Sequence, residues 1–173
     1  MNRITVATDG GCYPNPGPAG WAWVAEDGRY GCGSLAEATN NVAELLAIKE
    51  AMAAFPDTPL KIVYDSKYAV DAICGLGDSW LARGQHQRRN LALIERMIGQ
   101  LKARPPTADI EWEWVKGHTG HPLNEAADRL AARMVAVGTE SREEGTIEAM
   151  STPTPPREGL VLGMTGLARS GKD

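Results

Sequence analysis

Asp9, Glu44, Asp65 and Asp128 are four carboxylates spread over the first three quarters of the 173-residue chain, each at an expected strand end or helix boundary that would direct it toward one point. Hard divalent cations such as Mg²⁺ are held by a few carboxylates together with water and substrate phosphate. An all-oxygen cluster without Cys or His ligands therefore points to phosphate chemistry. Converging carboxylates repel one another unless cations neutralise them or some acid is protonated. Two Mg²⁺ ions in such a cluster, with Mn²⁺ as a substitute, would activate a water and stabilise the leaving oxygen of an in-line phosphodiester displacement. A lone Asp at a strand end is more often a turn or cap residue, and it is the set of four that argues for ligation. Asn124 precedes Asp128 by four residues, hence on the same helix face, where its amide could orient the carboxylate or a water.

The elements that must position these groups follow from hydrophobic periodicity. Residues 3–8 alternate and are β-branched, and runs 20–25 and 29–35 are separated by the turn signal Glu26-Asp27-Gly28, which reads as three strands in a meander. From Asn40 to Phe55, Leu45, Ile48, Met52 and Phe55 share one face of an amphipathic helix that Pro56 closes. LKIVYD (60–65) is a short buried-strand run. Helical spacing follows from Lys67 to about Ile73, with a break expected at Gly75 and Gly77, and a second amphipathic stretch covers 87–103. DIEWEWV (109–115) alternates as a fifth strand, and the loop KGHTGH leads into a helix with Pro122 in its first turn and Gly138 at its end.

The order βββ-α-β-α-α-β-α specifies an α/β fold, with a mixed sheet and helices packed on its faces. Asp9 and Asp65 directly follow strands one and four. If those strands are parallel neighbours, the two carboxylates stand side by side at a switch point, where open α/β sheets place ligands in a crevice.

Composition bounds the alternatives. One compact domain plus a tail is the expectation at this length. No apolar stretch approaches the ~20 residues of a bilayer crossing, and MNRITVATDGG lacks a secretory apolar segment, so a cytoplasmic protein is expected, with no membrane partner and a monomeric state. Cys12, Cys32 and Cys74 are odd in number, widely separated and without a CxxC pair, so neither a disulfide framework nor a zinc site is indicated. The formal net charge of -4 by itself argues against nucleic-acid binding, but residues 83–104 carry a local net charge of +5 from Arg83, Arg88, Arg89, Arg96, Lys102 and Arg104 against Glu95. Such a stripe can track a phosphate backbone, or be an ordinary solvated helix face.

TDGGCYPNPGPAGWAWV (8–24), NNVAELLAI (40–48), YDSKYAV (64–70) and WEWVKGHTGHPLNEAADRLA (112–131) closely resemble the successive blocks of type 1 ribonuclease H, across roughly residues 3–138. The resemblance implies the ribonuclease H-like fold, a five-stranded mixed sheet in the order 3-2-1-4-5 with helices on both faces. It implies that Asp9, Glu44, Asp65 and Asp128 are the metal-binding catalytic carboxylates, and that His118, on a Gly-bounded loop, moves protons near neutral pH. The implied substrate is the RNA strand of an RNA/DNA hybrid, cut to leave 5′-phosphate and 3′-hydroxyl ends. Discrimination through the 2′-hydroxyl would fall to Asn15, Asn40 and Asn41 and to main-chain groups of Gly11 and Cys12. Asn15 in its Pro-rich turn and Asn40 as a helix cap have structural readings as well.

Two departures stand out. The basic handle that clamps DNA in some members is shortened here to GDSWLARGQHQRRN, in which Trp80, Arg83, Arg88 and Arg89 persist as candidate contacts. Lys67 stands where some relatives carry Gln, exchanging a two-way amide for a donor-only cation. The rival readings are a DNA-directed nuclease or integrase-like enzyme of the same fold, and a hybrid-binding module with weak catalysis.

Beyond residue 138 the texture changes. Residues 139–158 are rich in Glu and Pro and read as a linker. Residues 159–173 resemble the opening of a P-loop nucleoside monophosphate kinase, with Gly166-x-x-x-x-Gly171-Lys172 and Asp173 in place of Ser or Thr. A P-loop requires the helix that follows it, so an inert, disordered stub is expected, although a nucleotide-binding role for this segment is a third alternative.

Overall fold

The computed structural model describes residues 2–85 and 88–147. Six strands form one mixed sheet: β1 (Ile4–Cys12), β2 (Gly17–Ala25), β3 (Arg29–Ala38), β4 (Leu60–Tyr64), β5 (Ile110–Trp114) and β6 (Ser141–Thr146), in the order β5-β4-β1-β2-β3-β6. The helices are α1 (Asn40–Ala54), α2 (Lys67–Asp71), α3 (Gly77–Ala82), α4 (Leu91–Lys102) and α5 (Pro122–Val137). The β1-β2-β3 meander is antiparallel, and β4 and β5 run parallel to β1.

Alternation along β1 separates two cores. Val6 faces the main core, with Leu45, Ile48 and Met52 of α1, Ile62 of β4, and Ile94 and Met97 of α4, whereas Ala7 and Val63 face Leu123, Ala126 and Ala127 of α5. Helices therefore cover both faces, as expected for strands that are apolar on each side.

Helix ends are set locally. The Thr39 hydroxyl accepts from the Val42 amide 3.2 Å away and caps α1, a role the sequence offered to Asn40. At α5, His121 Nδ1 accepts from the Asn124 amide at 3.4 Å, Pro122 takes the first turn, and Gly138 closes the helix at φ 77°, a left-handed conformation that costs glycine little.

Three expectations are corrected. The sheet has six strands: Ser141–Thr146, assigned to the linker from its polarity, pairs antiparallel with β3. This edge strand is held by polar contacts. Tyr30 donates to Glu143 at 2.6 Å, Arg133 lies 3.1 Å from Glu143, Arg142 lies 2.6 Å from Glu50 of α1, and the Ser34 and Ser141 hydroxyls are 2.7 Å apart. An exposed edge strand needs little apolar sequence, which is why no periodicity reveals it.

Secondly, β1 does not stop before Asp9. It continues to Cys12 because β2 accompanies it as far as Cys12↔Ala19, while its parallel pairing with β4 ends at Ala7↔Val63. Thirdly, of the stretch expected as helix over 87–103, the regular helix among the described residues begins at Leu91. The break expected at Gly75 is present: its backbone is extended, at φ 173° and ψ -50°, and the chain kinks there between α2 and α3. Gly77, by contrast, opens α3 and is buried against Ile94 and Ile98 of α4, where a Cβ would come within 2.7 Å and 2.8 Å of their side chains. The P-loop-like segment 159–173 lies outside the described residues.

The pairing of β6 makes it part of the folded unit. A chain ending at Gly138 is expected to melt several degrees below one ending at Ile147, corresponding to about 1–3 kcal/mol for a polar edge strand with its hydrogen bonds. Thermal denaturation of the two chains side by side measures the difference; equal midpoints would show that β6 adds no stability.

Candidate active site

The β1/β4 register positions two of the acids. Each pair in that ladder is offset by the same number of residues, so continuing it two positions past Ala7↔Val63 sets Asp9 beside Asp65. Both then project to the α5 face, as Ala7 and Val63 do, and Asp128 arrives there from α5. Glu44 comes from α1 on the opposite face. It reaches the same point because Gly10 has no side chain: a Cβ there would lie 2.3 Å from the Ala43 carbonyl carbon and 2.4 Å from the Glu44 nitrogen. The helix therefore rests directly on the strand, and the Gly10 amide is available to the carboxylates of Asp9 and Glu44.

Carboxylate oxygens of Asp9, Glu44 and Asp65 lie within 4.8 Å of one another. Asp128 stands beside Asp9, within carboxyl–carboxyl hydrogen-bonding reach, and its Oδ2 is 3.9 Å from Nδ1 of His118. Among the described residues no Lys or Arg forms an ion pair with any of the four; His118 is the one basic partner.

The electrostatic consequence is strong. The Asp9 carboxyl is pushed up to about 8, first by burial, then by the charge of Asp65 and by contact with Asp128. Glu44 is raised well above the usual range by burial and by the charges of Asp9 and Asp65. Asp65 is raised by burial, opposed in part by the nearby Asn124 amide. Asn124 is almost wholly buried, at 2% exposure. Its Nδ2 lies near enough to Asp65 to favour the ionised carboxylate, yet it has no hydrogen-bond partner of good geometry. Uncompensated negative charge in an all-oxygen donor set fits a hard divalent cation. The orphaned amide marks a place where a further acceptor belongs.

His118 lies on the loop between β5 and α5. It is exposed, with φ 61°, and Gly117 packs so close to Asp65 that a Cβ would stand 2.9 Å from its Oδ2. Four of the remaining candidates assemble around one cavity of about 290 Å³: Asn15, Asn40, Asn41 and Arg89, joined by Pro16 and Thr39. Asn15 Oδ1 accepts from the Asn40 amide at 3.2 Å, so one Asn of the set orders another. Gly11 and Cys12 line a second cavity of about 240 Å³ together with Asp9, Asp128 and Tyr13.

The handle residues divide. Trp80 is buried in the main core, with Arg88 stacked 3.9 Å above its ring, so Arg88 and not the indole meets solvent. Arg83 folds back onto Ser79 at 2.8 Å. Arg104, part of the basic stripe, is a structural residue: its guanidinium donates to the carbonyls of Met52, Phe55, Thr58 and Ala108. Lys67 lies 4.2 Å over the Trp114 ring. Sequence reasoning missed Gly10 as the point of helix–strand contact and Trp114 as a neighbour of the site. The Gly10-Gly11 pair, following a β-branched run, was the available signal for the first, and Trp114 left none beyond its aromatic type.

Residues 1–136 match the RNase H family. The chain is 39% identical over 133 residues to the ribonuclease H of Tropheryma whipplei strain Twist, covering 75% of this chain and 83% of that protein. It is 38% identical over 169 residues to the ribonuclease H of Methylorubrum extorquens, covering 92% of this chain and 71% of that one. Two solved structures share the fold. LC9-RNase H1, described as a type 1 RNase H with the type 2 active-site motif, superposes with a TM-score of 0.66 at 22% identity, over 99% of both chains. The N-terminal RNase H domain of a Mycobacterium tuberculosis protein, solved as a fusion with maltose-binding protein, superposes with a TM-score of 0.59 at 24% identity, over 80% of this chain and 96% of that one. The chain belongs to the RNase H family and is a nuclease. The kinase-like reading of residues 159–173 finds no support in these matches.

The raised Asp9 carboxyl links stability to pH. The folded state holds a proton on Asp9 up to about pH 8, whereas the unfolded chain releases it near the ordinary 3.8. Between those values the folded state binds more protons, so the metal-free protein loses stability as pH rises from about 4 to 8. Asp9→Asn is expected to raise the metal-free melting temperature at pH 8 by several degrees, with the gain shrinking toward pH 4, and to weaken the further stabilisation that Mg²⁺ or Mn²⁺ confers on the wild type. Melting curves at several pH values, with and without metal, test this; an Asp9→Asn protein no more stable than wild type at pH 8 contradicts it.

Proposed function

We propose that this nuclease hydrolyses the RNA strand of RNA/DNA hybrids endonucleolytically, leaving 5′-phosphate and 3′-hydroxyl ends, with two Mg²⁺ ions held by Asp9, Glu44, Asp65 and Asp128. The observation that carries the reading is the convergence of Asp9, Glu44 and Asp65 carboxylate oxygens within 4.8 Å with no Lys or Arg ion pair among the described residues. When bound, the ions supply the Lewis acidity that activates a water and stabilises the departing 3′ oxygen.

The chain's own groups do the positioning. Asp9 and Asp65 present oxygens from adjacent strand ends, Glu44 from the start of α1 and Asp128 from α5, so the ligands come from four rigid elements. The Gly10 amide favours the ionised forms of Asp9 and Glu44, and the Asn124 amide favours that of Asp65. The orphaned Asn124 Nδ2 is suited to a substrate oxygen or to a water that joins it to the cluster.

His118 stands at the mouth of the site, its Nδ1 3.9 Å from Asp128. It carries a proton to the leaving 3′ oxygen and, on its exposed loop, exchanges that proton with solvent. The amides of Asn15, Asn40 and Asn41 share one cavity with the Arg89 guanidinium, a combination suited to a 2′-hydroxyl and its neighbouring phosphate. Main-chain groups of Gly11 and Cys12 line the cavity on the α5 side of Asp9. Arg83 and Arg88, both exposed near the α3–α4 turn, supply cationic charge for the partner strand in place of a longer basic handle.

End-labelled hybrid, double-stranded RNA and double-stranded DNA, each incubated with Mg²⁺ or EDTA, distinguish this reading from its rivals. Only the RNA of the hybrid is expected to be cut, and only with metal. Preferred cutting of DNA would favour the DNA-directed alternative, and tight hybrid binding without cleavage the binding module. Asp65→Asn is expected to lower kcat by about 10³-fold or more while hybrid binding survives, and His118→Ala by about 10²-fold. Substantial turnover in Asp65→Asn would remove the metal-site assignment.

A further inference from the structure

Lys67 begins α2 two residues beyond Asp65, is exposed, and has no carboxylate partner among the described residues. An ammonium this close to a cluster of carboxylates would fold onto one of them if neutralisation were its role. Instead its Nζ lies 4.2 Å above the Trp114 ring centroid. That ring is itself fixed: Trp114 is the last residue of β5, pairs with Tyr64 of β4, and donates its indole Nε1–H to the Asp65 main-chain oxygen at 3.2 Å. Yet Trp114 is 44% exposed, so one of the largest apolar side chains of the protein is kept at the surface beside the site, with a lysine laid across it.

A cation held on an aromatic face is attracted by the ring quadrupole and loses little of its outward hydrogen-bonding capacity. Here the ring sets where the ammonium stands relative to Asp65, because Lys67 and Trp114 are both tied to the same strand end. From the proposed hydrolysis of a nucleic-acid strand at Asp65, on which this inference rests, we infer that Lys67, seated on Trp114, binds a backbone phosphate of the substrate flanking the scissile bond. A donor-only point charge suits a phosphate oxygen in any sequence. Trp114 is then a positioning residue that acts through Lys67. The Lys67–Trp114 pair lies on the β4–β5 side of the carboxylates, whereas the cavity of Asn15, Asn40, Asn41 and Arg89 is built from the β1–β2 turn, the start of α1 and the approach to α4. The substrate is thereby gripped on two sides of the reacting bond.

The test is steady-state cleavage of a labelled hybrid at several KCl concentrations by wild type, Lys67→Gln, Lys67→Arg, Trp114→Leu and the Lys67→Gln/Trp114→Leu double variant. Lys67→Gln keeps hydrogen bonding but loses charge. It is expected to raise KM about threefold or more at low salt, to change KM far more than kcat, and to reduce the slope of log KM against log salt by about 1, as loss of one phosphate contact requires. Lys67→Arg retains the wild-type slope. Trp114→Leu raises KM less than Lys67→Gln does, and the double variant is no worse than Lys67→Gln alone, because the ring works through the lysine.

An unchanged KM and slope in Lys67→Gln overturns the phosphate contact. A raised KM with an unchanged slope also overturns it, in favour of a neutral contact to a base edge or 2′-hydroxyl. Additive effects in the double variant overturn the positioning role of Trp114. Absence of hybrid cleavage by the wild type would instead remove the function proposed above, so the two failures are told apart.

Discussion

Three carboxylates that would each ionise freely in water are held within a few ångströms of one another in a largely buried crevice, and the rest of the fold is arranged to keep them there. Their mutual repulsion and desolvation are expressed in the raised carboxyls of Asp9, Glu44 and Asp65. Flexible segments would relieve such repulsion by moving apart. These side chains cannot, because Asp9 lies within a strand paired on one side and adjacent to the end of β4 on the other, and Glu44 belongs to a helix in direct backbone contact with that strand at Gly10. The energy stored in the cluster is available to whatever cation relieves it, which links stability, metal binding and chemistry in one place.

The surroundings of the cluster are divided by function. On the β1–β2 and α1 side, amides and a guanidinium surround a cavity of molecular dimensions that is rich in hydrogen-bonding groups. On the β5 side, a lysine laid on an exposed indole offers charge without directional amides. Between them, His118 sits on a backbone turn with positive φ, exposed and close to Asp128. Carboxylates, amides and an imidazole are thus supplied by different kinds of structure: strand ends, helix starts and a glycine-bounded loop.

The basic stripe shows how charge counted along a chain separates once the chain folds. Arg104 satisfies main-chain carbonyls at the end of α1, in the loop before β4 and just before β5, and Arg88 covers a buried indole. Arg89 alone of that group lines the cavity that gathers the asparagines. β6 is a parallel case in the opposite sense. Ser-Arg-Glu-Glu-Gly-Thr has the composition of a solvated tail, yet Glu143 meets Tyr30 and Arg133 while Arg142 meets Glu50, so its polar residues are the ones that fasten it.

By itself the sequence determined the alternation of strands and helices, because apolar periodicity is local and survives without a fold; the spaced motif blocks, by their resemblance to a known family, implied the core order 3-2-1-4-5 and singled out the four acids and His118. Tertiary structure alone decided the sixth strand, the continuation of β1 past Asp9 and the seat of Lys67 on Trp114. Each of these depends on a partner distant in sequence: β3 for Ser141–Thr146, β2 for Gly10–Cys12, and β5 for Lys67. A polar strand carries no hydrophobic period, a glycine pair reads as a turn until a neighbouring strand is known, and a stacked lysine cannot be told from a solvated one until the ring beneath it is in place.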